Sequence, residues 1–157
     1  MTSGSLACEH FLSIRPNWRV ATLDSTGLSG GTLTAWDPDA GIFSSYVTMA
    51  GILIRGQIKG FSETLNILNV YGPYRERELF WEGIRDASLL QLHNLILAGD
   101  LNFTFGPSKV WGGNQLCDPL ERFFSDLFVE ANLVDVVLTS LVPTWKNGRL
   151  GDERVAK

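Results

Sequence analysis

The sequence predicts a mixed α/β (α+β) domain on three observations. The first half breaks into short β-prone runs divided by glycine and small polar residues, the hydrophobic period turns helical after Tyr71, and a wholly apolar run at 95–98 precedes a second helix signal at Asp118. With 157 residues, 45% hydrophobic and 19% charged, the chain is long enough for one sizeable core and too apolar for disorder.

Residues 18–23 and 31–36 are β-prone runs joined by Asp24-Ser25-Thr26-Gly27-Leu28-Ser29-Gly30, a connection that makes them a hairpin-like pair. Three further strands are expected at 46–49, 52–59 and 63–71, broken at Ala50-Gly51 and Gly60-Phe61-Ser62. From 76 to 93 the residues Leu79, Phe80, Gly83, Ile84, Ala87 and Leu90 recur at helical spacing, with acids in the first turn where the helix dipole favours them. Leu95 to Ala98 carry no polar residue, which predicts a strand buried on both faces. Asp118, Pro119 and Glu121 read as N-cap, first helical residue and capping-box partner of a helix ending near Ala131. Its stripe of Leu120, Phe123, Phe124, Leu127 and Phe128 is core material without a chemical role. Only the start of the chain lacks a pattern, so residues 1–16 are expected to be poorly defined and 17–157 to form the domain.

Charge and cysteine content exclude several classes. A net charge of −4 argues against a freestanding nucleic-acid binder, which ordinarily presents a basic face. An enzyme acting on phosphodiesters tolerates acidity, because a metal site is built from carboxylates. Cys8 and Cys117 lack metal-ligand or disulfide-framework spacing, and His10 and His93 are too isolated to complete a zinc site. The start has no secretory signal and no apolar stretch reaches the ~18 residues that span a bilayer, so the chain reads as intracellular, without a membrane partner, in the nucleus or the cytoplasm alike. Nothing in the sequence sets its oligomeric state or asks for a small-molecule cofactor.

Candidate chemistry gathers where apolar runs end. Leu95-Ile96-Leu97-Ala98-Gly99-Asp100-Leu101-Asn102 sets a carboxylate and an amide two positions apart, which on a regular strand share a face. Such a pair suits phosphoryl transfer: the carboxylate holds a divalent cation or orients water, and the amide donates to an oxyanion. By itself the same segment also describes a turn after a buried strand. Tyr71 ends another run before Gly72-Pro73, at a rim where a phenol can donate to phosphate or simply cap the core. Asn69 shares its face, but a buried asparagine bonded to backbone explains it as well, so it is not assigned to the site. Arg75 and Arg77 are candidates for phosphate contact, or a solvated ion-pair face with Glu76 and Glu78. Trp111-Gly112-Gly113 and Trp145 present aromatics to bases or pack over loops.

The pieces Gly27-Leu28-Ser29-Gly30-Gly31, Trp36-Asp37-Pro38, Asn69-Val70-Tyr71-Gly72-Pro73, Phe80-Trp81, Ala98-Gly99-Asp100-Leu101-Asn102, Trp111-Gly112-Gly113 and Thr144-Trp145-Lys146-Asn147-Gly148-Arg149 occur in that order. Together they resemble the endonuclease/exonuclease/phosphatase superfamily and, more narrowly, the endonuclease domain of plant non-LTR retroelement polyproteins, over residues 18–157. The resemblance implies a two-layer β-sandwich flanked by helices, DNase I-like, and metal-assisted hydrolysis of DNA phosphodiesters with Mg²⁺ or Mn²⁺. It implies Asp100 as the residue that orients or deprotonates water and as a metal ligand, Asn102 holding water or a phosphate oxygen, and Tyr71 in the active site. Arg75 and Arg77 remain the candidates for substrate contact.

Two family features have no counterpart. No glutamate in a Gln-Glu or Glu-Thr setting precedes Trp18, Glu9 being the one acid there, and no Ser-Asp-His supplies a histidine near the C-terminus. The expectation is therefore a partial, incomplete domain that is inactive as given, with a non-catalytic retroelement remnant or a phosphatase-like member of the superfamily as the alternatives.

Overall fold

The computed structural model describes residues 4–24, 31–106, 111–112, 118–136, 148 and 155–156. The chain divides into two compact units, Met1–Leu101 and Asn102–Lys157. The first opens on α1 (Gly4–Ile14), in the segment expected to be poorly defined. Half-buried Ala7, Cys8, Phe11 and Leu12 form one helical stripe, Phe11 lies with its ring centroid 5.8 Å from that of Trp18, and α1 packs on the hairpin that follows. The helix stops before Arg15-Pro16, because the residue preceding proline is driven out of the helical region. That short stripe was the signal available in the sequence.

β1 (Arg19–Leu23) and β2 (Thr32–Trp36) form the expected antiparallel hairpin, in register from Arg19 with Trp36 to Leu23 with Thr32. Then β3 (Gly41–Thr48), β4 (Gly51–Ile58), β5 (Leu65–Tyr71) and β6 (Leu95–Asp100) build a sheet in the order β3-β4-β5-β6. The β3–β4 turn is closed by Thr48, whose hydroxyl donates to the Gly51 carbonyl at 3.0 Å and accepts from the amides of Ala50 and Gly51. The hairpin packs across β4 and β5, giving two layers of sheet. β4 is consequently buried on both faces from Gly51 to Ile54, whereas β5 alternates, with Asn66, Leu68 and Val70 fully inside.

β6 runs parallel to β5, which demands a crossover connection, and α2 (Arg77–Asp86) supplies it. The helix predicted over 76–93 is thus shorter, ending at Ala87 and Ser88 (φ 58°) and followed by a 3-10 turn, Leu89–Gln91. Of the expected stripe Ile84 and Leu90 are buried, but Leu79 stands 67% exposed and Trp81, outside the stripe, is fully buried. Glu76 in the left-handed region (φ 53°) precedes the first turn. Among the described strands β6 is an edge, not the doubly buried strand expected: Leu95 and Leu97 are half-buried while Ile96 and Ala98 face outward. One face of the run, Leu95 and Leu97, is partly covered and the other, Ile96 and Ala98, is not.

In the second unit α3 (Glu121–Glu130) buries Phe124 and Leu127. Phe103 stacks on Phe124 with centroids 4.1 Å apart, and Phe105 meets Phe128 edge-on at 5.1 Å, so the aromatic stripe is core as expected. The helix starts later than predicted, at Glu121, because the Asp118 carboxylate accepts from the Leu120 amide at 3.0 Å and its carbonyl from Glu121, closing a turn ahead of the helix. β7 (Trp111–Gly112) and β8 (Val155–Ala156) pair antiparallel. No described helix is long and apolar enough to cross a membrane.

Candidate active site

Glycines mark the ends of β5 and β6 where the two strands meet. Gly99 has φ +120°, and a Cβ placed there would lie 2.1 Å from the Val70 carbonyl oxygen and 2.8 Å from Asn69 Oδ1. Past the last pair the Gly72 amide donates to the Asp100 carbonyl at 2.7 Å, and a Cβ on Gly72 would lie 2.4 Å from the Leu101 oxygen. Both glycines are therefore required for the two backbones to meet here.

That approach sets Tyr71 and Asp100, the last residues of their strands, directly opposite each other in the parallel register. Their strands lie ~4.8 Å apart, so the two residues end their strands side by side, Tyr71 on one face of β5. Tyr71 is half-buried and Asp100 exposed. The face is that of Asn69, two residues before Tyr71 on β5. Its amide donates to Thr34 Oγ1 at 2.8 Å and to the Leu33 carbonyl at 3.5 Å, tying β5 to the overlying hairpin. Asn69 is thus a positioning residue between the two sheets; the i, i+2 spacing to Tyr71 was its only mark in the sequence.

Asn102 does not follow by strand alternation. β6 ends at Asp100, and Asn102, past that end, has its own backbone in the left-handed region at φ 53°. Asn102 is half-buried and opens the second unit. Arg75 is exposed on the segment leaving β5, and Arg77 is half-buried as the first residue of α2. Trp145 and Gly113 lie outside the described residues; Trp111 and Gly112 form β7.

Among the described residues no three His, Cys, Asp or Glu side chains gather closely enough to hold a metal ion. Asp100 alone is an incomplete donor set for Mg²⁺, a hard cation that demands near-octahedral oxygen coordination. His93 precedes β6 at the end opposite Asp100, five strand rises or about 16 Å away along β6 alone.

No protein-family profile matches the chain, and no curated protein matches it in sequence. Among solved structures it is similar to the endonuclease domain of TRAS1, a telomere-specific non-LTR retrotransposon, at 18% identity with a TM-score of 0.60, over 99% of this chain and 76% of that one. The architecture is therefore the DNase I-like α/β fold that the motif order implies, here with its two sheets carried by Met1–Leu101.

Proposed function

We propose that the chain descends from a metal-dependent DNA endonuclease of the endonuclease/exonuclease/phosphatase superfamily, in its plant non-LTR retroelement branch, and that the 157-residue polypeptide does not itself turn over DNA. The observation that carries the reading is Tyr71 opposite Asp100 at the C-terminal ends of parallel strands in a DNase I-like fold. A carboxylate there orients an attacking water and accepts its proton, while the neighbouring phenol donates to a phosphate oxygen. Asn102 adds an amide that holds water or a phosphate oxygen, and Arg75 and Arg77, on the segment leaving Tyr71, offer charge to the flanking phosphates. DNA is the substrate this reading assigns.

These residues bind and orient but do not neutralise the charge that develops on phosphorus. Among the described residues no three His, Cys, Asp or Glu side chains gather into a Mg²⁺ site, and His93 lies toward the other end of β6 from Asp100. Positioning without charge stabilisation leaves most of the barrier in place.

The test is relaxation of supercoiled plasmid by the purified chain with Mg²⁺ or Mn²⁺, with and without EDTA. No nicking above buffer is expected. EDTA-sensitive nicking that Asp100→Asn abolishes would show that a ligand such as Glu9 or Asp152 completes the site, and would overturn the claim of inactivity. Ancestry is tested separately by a chimaera supplying a glutamate-bearing strand and a histidine-bearing segment from an active endonuclease. It should nick DNA in a manner that depends on Asp100 and Tyr71; nicking indifferent to both would sink the assignment.

A further inference from the structure

Among the described strands β3 and β6 are the two edges of the four-stranded sheet. An edge offers unpaired backbone groups to any second strand, and proteins ordinarily blunt it with a lysine, a proline, a bulge or a short strand. β3 has none of these: it runs eight residues, pairs with β4 without interruption, and contains neither a charge nor a proline. Its large side chains stand in water, Ile42 84%, Val47 65% and Tyr46 52% exposed, whereas β6 exposes Ile96 alone among its large apolar residues.

We propose that this edge is a self-pairing surface, on which β3 of a second copy docks antiparallel about a two-fold axis through Ser44 to make one eight-stranded sheet. A two-fold axis normal to a sheet keeps each face a face, so opposed residues must have equal parity and the register must centre on a residue. Centred on Ser44, the pairing sets Ile42 against Tyr46 of the second copy, twice, with Ser44 against Ser44 between them. Aromatic with β-branched is a favourable cross-strand pair, and here it joins the two large apolar residues exposed on that face. On the other face Val47 lies over Gly41, whose missing side chain leaves room. Centring on Ser45 would instead leave Ile42 against Thr48 and Tyr46 against Ser44.

Charge selects the same orientation. Asp37 and Asp39 precede β3, while the turn that follows it, Met49-Ala50, is neutral. Antiparallel pairing lays the acids of one copy beside the neutral turn of the other; parallel pairing would oppose acid to acid. Arg55, exposed and in register with Ser44 on β4, comes three strand spacings from its copy, ~14 Å, beyond the screening length of ~8 Å at physiological salt. The three exposed side chains offer on the order of 400 Å² per copy, ~800 Å² for the pair, below the ~1,200 Å² at which stable interfaces begin, so the dimer is weak and concentration-dependent.

The experiment is sedimentation velocity of the full chain from ~1 to ~200 µM, the range bracketing a weak interface. A monomer–dimer equilibrium is expected. Ser44→Lys, which opposes two like charges at the axis, should abolish it, and Val129→Lys on α3 should leave it unchanged. In a chain with Cys8→Ser and Cys117→Ser, air oxidation should cross-link Ser44→Cys faster than Ser45→Cys. A monomer at every concentration, which would leave the edge to a strand of a different protein, overturns the proposal. So does a dimer indifferent to Ser44→Lys, faster cross-linking through position 45, or open-ended oligomers instead of a closed pair.

Discussion

Replacing Gly99 by alanine tests the junction that carries Tyr71 and Asp100, and Gly60→Ala supplies its internal reference. Both glycines have positive φ, +120° and +87°, but a Cβ on Gly60 meets nothing within 4 Å, while one on Gly99 meets the Val70 carbonyl at 2.1 Å. Each alanine pays the left-handed backbone strain, roughly 1–3 kcal/mol, and each recovers ~0.4–1 kcal/mol from a stiffer unfolded chain. Only Gly99→Ala adds an overpacking cost, about 1–3 kcal/mol, because the obstacle is backbone of the neighbouring strand and cannot swing away. The difference between the two variants, ~1–3 kcal/mol, is therefore the cost of separating β5 from β6. Against a total stability of ~5–15 kcal/mol this is large, and at ~2–4 °C per kcal/mol it corresponds to several degrees in Tm. Urea unfolding followed by tryptophan fluorescence measures it, since Trp81 is fully buried in the same unit. If Gly99→Ala costs no more than Gly60→Ala, the strands do not depend on this close approach and the geometry assigned to the site fails.

Asn69→Ala should destabilise the first unit by ~1–2 kcal/mol, and a double-mutant cycle with Thr34→Val should return a coupling of ~0.5–1.5 kcal/mol in urea unfolding; additive effects would mean that the bond between the sheets contributes nothing. Trp81→Ala should cost ~3–5 kcal/mol, against less than ~0.5 kcal/mol for Leu79→Ala, so thermal melts of the pair decide which face of α2 is inside.

The local elements were legible because each rests on a short-range pattern. β1 and β2 follow from two β-prone runs around a glycine-rich connection, and α3 from an aromatic stripe at helical spacing. α2 was legible as an element but not in its orientation. Gly83 and Leu79 fit the same stripe as Ile84, and nothing local shows that Glu76 adopts a left-handed conformation and starts the helix where Trp81 points inward. α1 escaped notice because four half-buried residues over two turns make a weak signal. β6 misled for a different reason: a run without polar residues fits a strand covered on both faces, but coverage depends on what packs above and below the sheet, a long-range property of the fold.

The site divides along the same line. Asp100 and Asn102 were linked by local alternation, which presumes a regular strand through both; β6 ends at Asp100 and Asn102 has φ 53°. Tyr71 and Asp100 were linked only through resemblance, yet they are the pair the fold brings together. The crossover through α2 returns β6 parallel to β5, and parallel pairing aligns the strands at the same end; an antiparallel return would have sent Asp100 toward Leu65. Past the last pair the Gly72 amide donates to the Asp100 carbonyl and holds the two strand ends together. Residues at two strand ends thus become neighbours only through a crossover helix and glycines that carry no chemistry themselves, which is why the pairing could not be read from either segment alone.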